Sequence, residues 1–204
     1  MSTSLEQIHE EHTHELAPHI RIGRARAGVL MLILSDAVSV IAILAAGGYL
    51  NALNTENQFR VAGDHASAFV PGLLLAIALV VSGVAYFGWE RSVRKSAGAG
   101  LQLFFLVALI FMIVSAVGQT WVSIILNRGY VSPYDAYESV ITLITWFTAA
   151  HLLLTVIIGV LLLGRVMRGR VRVAGQNYIA GVVGYWWYYT IIASILLWLF
   201  SQVI

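Results

Sequence analysis

The stretch LMLILSDAVSVI, Leu30 to Ile41, sets a single acid, Asp36, inside an otherwise oily run. Followed in both directions, the run extends from about Ala27 to Leu50. That is the length an α-helix needs to cross the ~30 Å hydrocarbon core of a bilayer. A bare carboxylate at such depth is costly, so an intramembrane acid marks a packing, partner or proton site. Whether the run lies in a membrane is decided by the rest of the chain.

Of the 204 residues 59% are apolar and only 11% charged, with a mean hydropathy of +0.83. A soluble domain carries about 25% charged residues. The net charge of +2 and the pI of about 9.0 are too modest to argue for nucleic acid. The chain has no cysteine, which excludes disulfides, thiolate chemistry and Cys-ligated metal or iron–sulfur sites. The amino-terminal MSTSLEQIHEEHTHELAPHI is polar and acidic and lacks the basic n-region and short h-region of a signal peptide. The first apolar run is therefore expected to act as insertion signal and to remain in the chain.

Five runs reach spanning length: about 27–50, 68–88, 101–125, 140–164 and 180–203. None alternates with the two-residue period of a barrel strand. The expected fold is an all-α polytopic membrane protein, with a polar cytoplasmic tail over 1–26 and a five-helix transmembrane domain over 27–204. A soluble five-helix bundle would lack the polar surface to cover these helices. Arg21, Arg24 and Arg26 precede the first span; Arg91, Arg94 and Lys95 follow the second; Arg165, Arg168, Arg170 and Arg172 follow the fourth. With five crossings all three groups fall on one side and leave only Arg60 and Arg128 opposite. The positive-inside rule then puts the amino terminus in the cytoplasm and the carboxyl terminus outside.

Asp36 is the first candidate site, flanked by Ser35 and Ser39, the latter sharing its helix face at i,i+3. No Lys or Arg lies at matching depth in another span, so Asp36 is expected to keep its proton. It would then bond a serine, a backbone carbonyl, a lipid headgroup or a partner, or serve proton movement. His151, in WFTAAHLLLTVIIG, is the sole histidine in a span and has no second histidine facing it to complete a haem site. Its expected role is interhelical hydrogen bonding. Gln119, near the outer end of the third span, is expected to cap backbone or meet a partner. Trp89, Trp121, Trp186 and Trp187 read as interfacial anchors, with packing on a partner subunit or a lipid as the other reading. His9, His12, His14 and His19 lie among glutamates in the tail but match no closed metal spacing. Small-residue patches at 45–48, 96–100 and 181–184 suit close helix contact. No internal repeat or mid-span proline suggests a carrier.

Taken in order, these landmarks resemble subunit III of the haem-copper oxidases, in its five-helix bacterial and archaeal form. Leu32-Ile33-Leu34-Ser35-Asp36 stands where that family has Leu-Phe-Ile-x-Ser-Glu, with Asp for Glu. Gln119 matches the glutamine of a glutamine–glutamate pair whose glutamate is Val122 here. Tyr137-Glu138-Ser139 matches a Tyr-x-Ser pattern. HLLLTVIIG, starting at His151, is similar to a His-Gly-Leu-His-Val segment before a glycine, with Thr155 at the second histidine. The closing Tyr185-Trp186-Trp187-Tyr188-Tyr189-Thr190 resembles Tyr-Trp-His-Phe-Val-Asp, with the histidine and aspartate replaced.

The resemblance, over about residues 27 to 200, implies a non-catalytic accessory subunit of a terminal respiratory oxidase in a prokaryotic plasma membrane. Such a chain holds no haem, copper or catalytic centre of its own. It packs against the catalytic oxidase subunit I, with subunit II as a further partner. It binds phospholipid and supports proton uptake, the role carried here onto Asp36. The rival expectations are a small transporter or channel, or an accessory subunit of another membrane oxidoreductase such as nitric oxide reductase.

Overall fold

In the computed structural model, residues 18–54, 59–60, 69–94, 102–126, 135–169, 171 and 178–204 are described. They form five helices: α1 (Pro18–Ala52), α2 (Phe69–Arg94), α3 (Gln102–Leu126), α4 (Ala136–Met167) and α5 (Tyr178–Ser201). All five are long and apolar enough to cross a membrane, and the chain is a multi-pass membrane protein.

The helices outrun the apolar windows mainly where the arginines lie. α1 begins nine residues before Ala27, so the end of the polar tail is helical, and α2 runs on past Gly88 to Arg94. At 35 residues α1 is about 52 Å long, well beyond the hydrocarbon core, so its arginine-bearing turns extend past the oil. Of the tail histidines only His19 falls in α1; His9, His12 and His14 lie outside the described residues, as does the small-residue patch at 96–100.

α4 shows its ends in the sequence. Asp135 in extended conformation caps its start, the side chain accepting from the Glu138 amide at 2.6 Å. At the other end Gly169 adopts φ 68° and donates to the Val166 carbonyl at 3.0 Å. Glycine is the residue for that left-handed turn, because a Cβ there would meet the carbonyl. Hydroxyls inside the spans mostly bond the carbonyl one turn back, as Ser92 to Gly88, Ser115 to Phe111 and Ser123 to Gln119. With no water in the oil, a polar side chain needs such an internal partner.

α2 and α4 run antiparallel to α5, while α1 runs parallel to it. The start of α2 lies by the end of α5, where Gly72 meets Trp198, and its end lies by the start of α5, where Tyr86 OH donates to the Ala180 carbonyl at 2.8 Å. Gly47 of α1 faces Phe200 and Val140, near the end of α5 and the start of α4. The arginine-bearing ends of α1, α2 and α4 consequently share one end of the bundle.

α2, α3, α4 and α5 form the body of the protein, while α1 lies against α5 and, more lightly, α4. The spanning window of α1 is only 11% buried, against 33–44% in the other four, so α1 is a marginal helix. The main core lies between α2, α3, α4 and α5, around Tyr86, Trp89, Phe105, Met112, Leu152 and Trp187. Tyr86 stacks on Trp187 at 4.7 Å and meets Trp89 edge-on at 5.3 Å. A second cluster, with Val40, Tyr137, Ile141, Ile144 and Leu197, seats α1 on α4 and α5.

This packing corrects the reading of three tryptophans as interfacial anchors. Trp89 and Trp187 are sealed in the main core, and Trp186 is buried between α4 and α5. Their indole nitrogens also show why: Trp187 donates to Ser82 and Trp186 to Thr155, so the polar edge is satisfied inside the bundle. Trp121 stays on the outer surface, 65% exposed.

Candidate functional site

Asp36, His151 and Tyr189 each sit at the middle of their helices, α1, α4 and α5, and side-by-side packing, with α4 antiparallel to the other two, brings these midpoints to one level. There they meet. Asp36 Oδ1 lies 2.7 Å from His151 Nε2, and Tyr189 OH donates to Asp36 Oδ2 at 2.5 Å. The Asp36 and His151 side chains are 16% and 15% exposed, so little of either reaches the surface.

The other imidazole nitrogen decides what the pair can hold. His151 Nδ1 is 2.8 Å from the Phe147 carbonyl, which only accepts, so Nδ1 carries a hydrogen. At 2.7 Å, Nε2 and Oδ1 then have one hydrogen between them. It sits on Asp36, facing a neutral imidazole, or on His151 as an imidazolium facing a carboxylate. Both arrangements satisfy every bond in the cluster, and moving between them needs only a short shift of that proton. A pair of this kind is suited to holding and passing a proton inside a bilayer.

The expectation that Asp36 lacks a charged partner is thereby corrected: Lys and Arg are absent at its level, but His151 can serve as the cation. Ser35 and Ser39, expected as its hydrogen-bond partners, are exposed on α1, and both Asp36 oxygens go to other helices. Sharing a helix face put Ser39 near Asp36 in sequence terms, but the acid leans inward to α4 and α5.

Around this centre lies a polar shell. His151 lies between the rings of Phe147, at 4.2 Å, and Trp186, at 5.9 Å and nearly parallel. Thr155 donates to the His151 carbonyl at 2.8 Å, so its hydroxyl oxygen accepts from Trp186 Nε1 at 3.0 Å and from Thr190 at 3.1 Å. Two threonines thus do the polar work beside the imidazole. Gln119 reaches from α3 to the Thr145 carbonyl on α4 at 3.4 Å and belongs to a separate contact. Among the described residues no three His, Asp or Glu side chains gather as a metal site.

A second buried acid escaped the sequence reading. Glu90, 7% exposed, lies near the end of α2, with Arg94 paired to Oε1 and Tyr188 OH donating to Oε2 at 2.9 Å. Gly181 and Gly184 of α5 face it; a Cβ at Gly184 would lie 3.1 Å from Glu90 Oε2. Ending the second span at Gly88 left Glu90 outside the membrane segment. The available signal was Glu90 and Arg94 at i,i+4 on a helix that does not stop at the glycine.

No family model matches this chain, and no curated protein matches it either.

Proposed function

We propose that this chain is a non-catalytic accessory subunit of a terminal haem-copper oxidase in a prokaryotic plasma membrane, of the subunit III kind. Haem and copper belong to the partner subunits, and the complex reduces dioxygen while moving protons outward. The chain contributes packing area and bound phospholipid, and Asp36 with His151 forms a proton-holding pair. One observation carries the reading. Two landmarks of the resemblance, Asp36 and His151, lie 115 residues apart in sequence yet meet at 2.7 Å in one hydrogen-bonded cluster. Landmarks matched by chance would have no reason to converge.

The test is to tag the chain in its native host, solubilise the membranes gently and run a native gel with an optical spectrum. Co-migration with haem-bearing partners that bind carbon monoxide is the expected result. A haem-free homo-oligomer would overturn the reading and favour the carrier, for which a mid-membrane Asp–His pair is equally suitable.

A further inference from the structure

At the end of the bundle away from the arginines, a small cavity of about 20 Å³ lies among α2, α3, α4 and α5. Gly72, Gln119, Thr148, Leu152, Ser194 and Trp198 line it. Its walls combine an indole, an amide and two hydroxyls, a rich polar set for the interior of so apolar a chain.

Trp198 gives the site its meaning. Its Nε1 is buried and, among the described residues, has no acceptor. An indole nitrogen can only donate, and leaving it buried and unmatched is unfavourable. The ring has no room to turn away toward α2, because Gly72 lies so close that a Cβ there would overlap the indole nitrogen. Phe69 packs on it at 5.8 Å.

The chemistry of the missing partner follows. It must accept a hydrogen bond, so it presents an oxygen. It must be neutral, since no cationic side chain lines the cavity and an anion there would be uncompensated. It must be small: the volume suits one water-sized group, whose requirement is about 10–15 Å³. The hydroxyls of Thr148 and Ser194 and the amide of Gln119 can engage its remaining valences.

We propose that this cavity is a binding site for one neutral oxygen acceptor, a water molecule or the ester carbonyl of a lipid, held by the Trp198 N–H. Bound there, it links α5 to the facing helices where the direct contact between Gln119 and Thr145 is long. The site is independent of the Asp36 cluster and of the oxidase reading.

The experiment uses the full chain, with ¹⁵N-indole tryptophan, in nanodiscs of deuterated lipid. The Trp198 indole resonance is identified by its loss in Trp198→Phe. A downfield indole proton with a through-space contact to water supports the proposal and identifies water. A downfield proton whose contact appears only with protonated lipid, at the glycerol or acyl α-methylene positions, supports it and identifies the ester. An indole proton at the non-bonded position, touching only protein side chains, overturns it. Ser194→Val gives a check that keeps Trp198 in place: filling the cavity should remove the water or lipid contact and move the indole proton upfield. An unchanged indole resonance in that variant would also overturn the proposal.

Discussion

Asp36 and Glu90 are held inside the bundle by consecutive tyrosines of α5: Tyr188 donates to Glu90 and Tyr189 to Asp36. The difference lies in the cation. Glu90, itself 9% exposed at the side chain, takes Arg94 from one turn along its own helix, near the helix end, where the arginine side chain is 63% exposed. Asp36 takes His151 from another helix, at mid-span, where neither side chain is more than 16% exposed. Arginine stays charged in any protein setting, so the Glu90 pair is a fixed ion pair with an outlet to the membrane surface. The hydrogen between His151 Nε2 and Asp36 Oδ1 can stand on either partner with every bond kept, so the Asp36 pair is not fixed. One acid is a clamp between α2 and α5; the other shares a hydrogen with an imidazole and pins the marginal helix α1.

Removing the cation separates the two most strongly. His151→Leu strands Asp36 in the oil and should cost about 3 kcal/mol, as breaking a buried pair does. Adding Asp36→Leu should restore most of the loss, because an apolar pair of similar size is close to neutral. Unfolding titrations in mixed micelles on the single and double variants measure this coupling. A double variant as unstable as His151→Leu alone would remove Asp36 from the account. His151→Leu, in reconstituted bilayers, should also release α1 and expose it to protease.

Next comes the glycine beside the clamp. Gly184→Ala puts a methyl 3.1 Å from Glu90 Oε2 and 3.2 Å from the Tyr86 ring, both already held by partners. Crowding of that kind costs about 1–3 kcal/mol. Gly164→Ala is the control, with nothing within 4 Å of its added methyl, and should be neutral in the same titration.

The tyrosines should then prove nearly equal. Tyr189→Phe and Tyr188→Phe each remove one bond to a carboxyl group and should cost about 1.5 kcal/mol apiece. Their signatures differ. Infrared spectra of the chain with labelled aspartate should shift the carboxyl band in Tyr189→Phe and leave it in place in Tyr188→Phe. A shift in both would mean that the two sites are coupled through the α5 backbone.

Much of this was legible in the residues. Five apolar runs and grouped arginines gave the helices and their alternation, because spanning length and interface charge are local properties of the chain. Asp36 and His151 stood out separately, each being rare for its position. Their meeting was not legible: it depends on which faces of α1, α4 and α5 turn inward, and apolar residues surround these helices on every side. The same uniformity hid the tryptophans. An indole reads as an interfacial anchor unless the threonine or serine that accepts its N–H is known, and Thr155 and Ser82 lie 31 and 105 residues from the rings they satisfy. Glu90 was lost to a boundary, since an apolar window ends where charge begins while a helix need not.

The smallest effect tests the clamp directly. Arg94→Gln removes the cation from Glu90 but leaves a donor that can reach the same oxygen, and the exposed head group means that water already screens the pair. Exposed or half-exposed ion pairs contribute about 0–1 kcal/mol, so the unfolding midpoint should barely move. Glu90 keeps its bond from Tyr188, and the introduced amide can still donate to the oxygen that the guanidinium leaves. Were Arg94→Gln instead as damaging as His151→Leu, Glu90 would have to be sealed from water in the membrane. The contrast between a clamp whose cation reaches the surface and a mid-span Asp–His pair would then collapse into two sites of one kind.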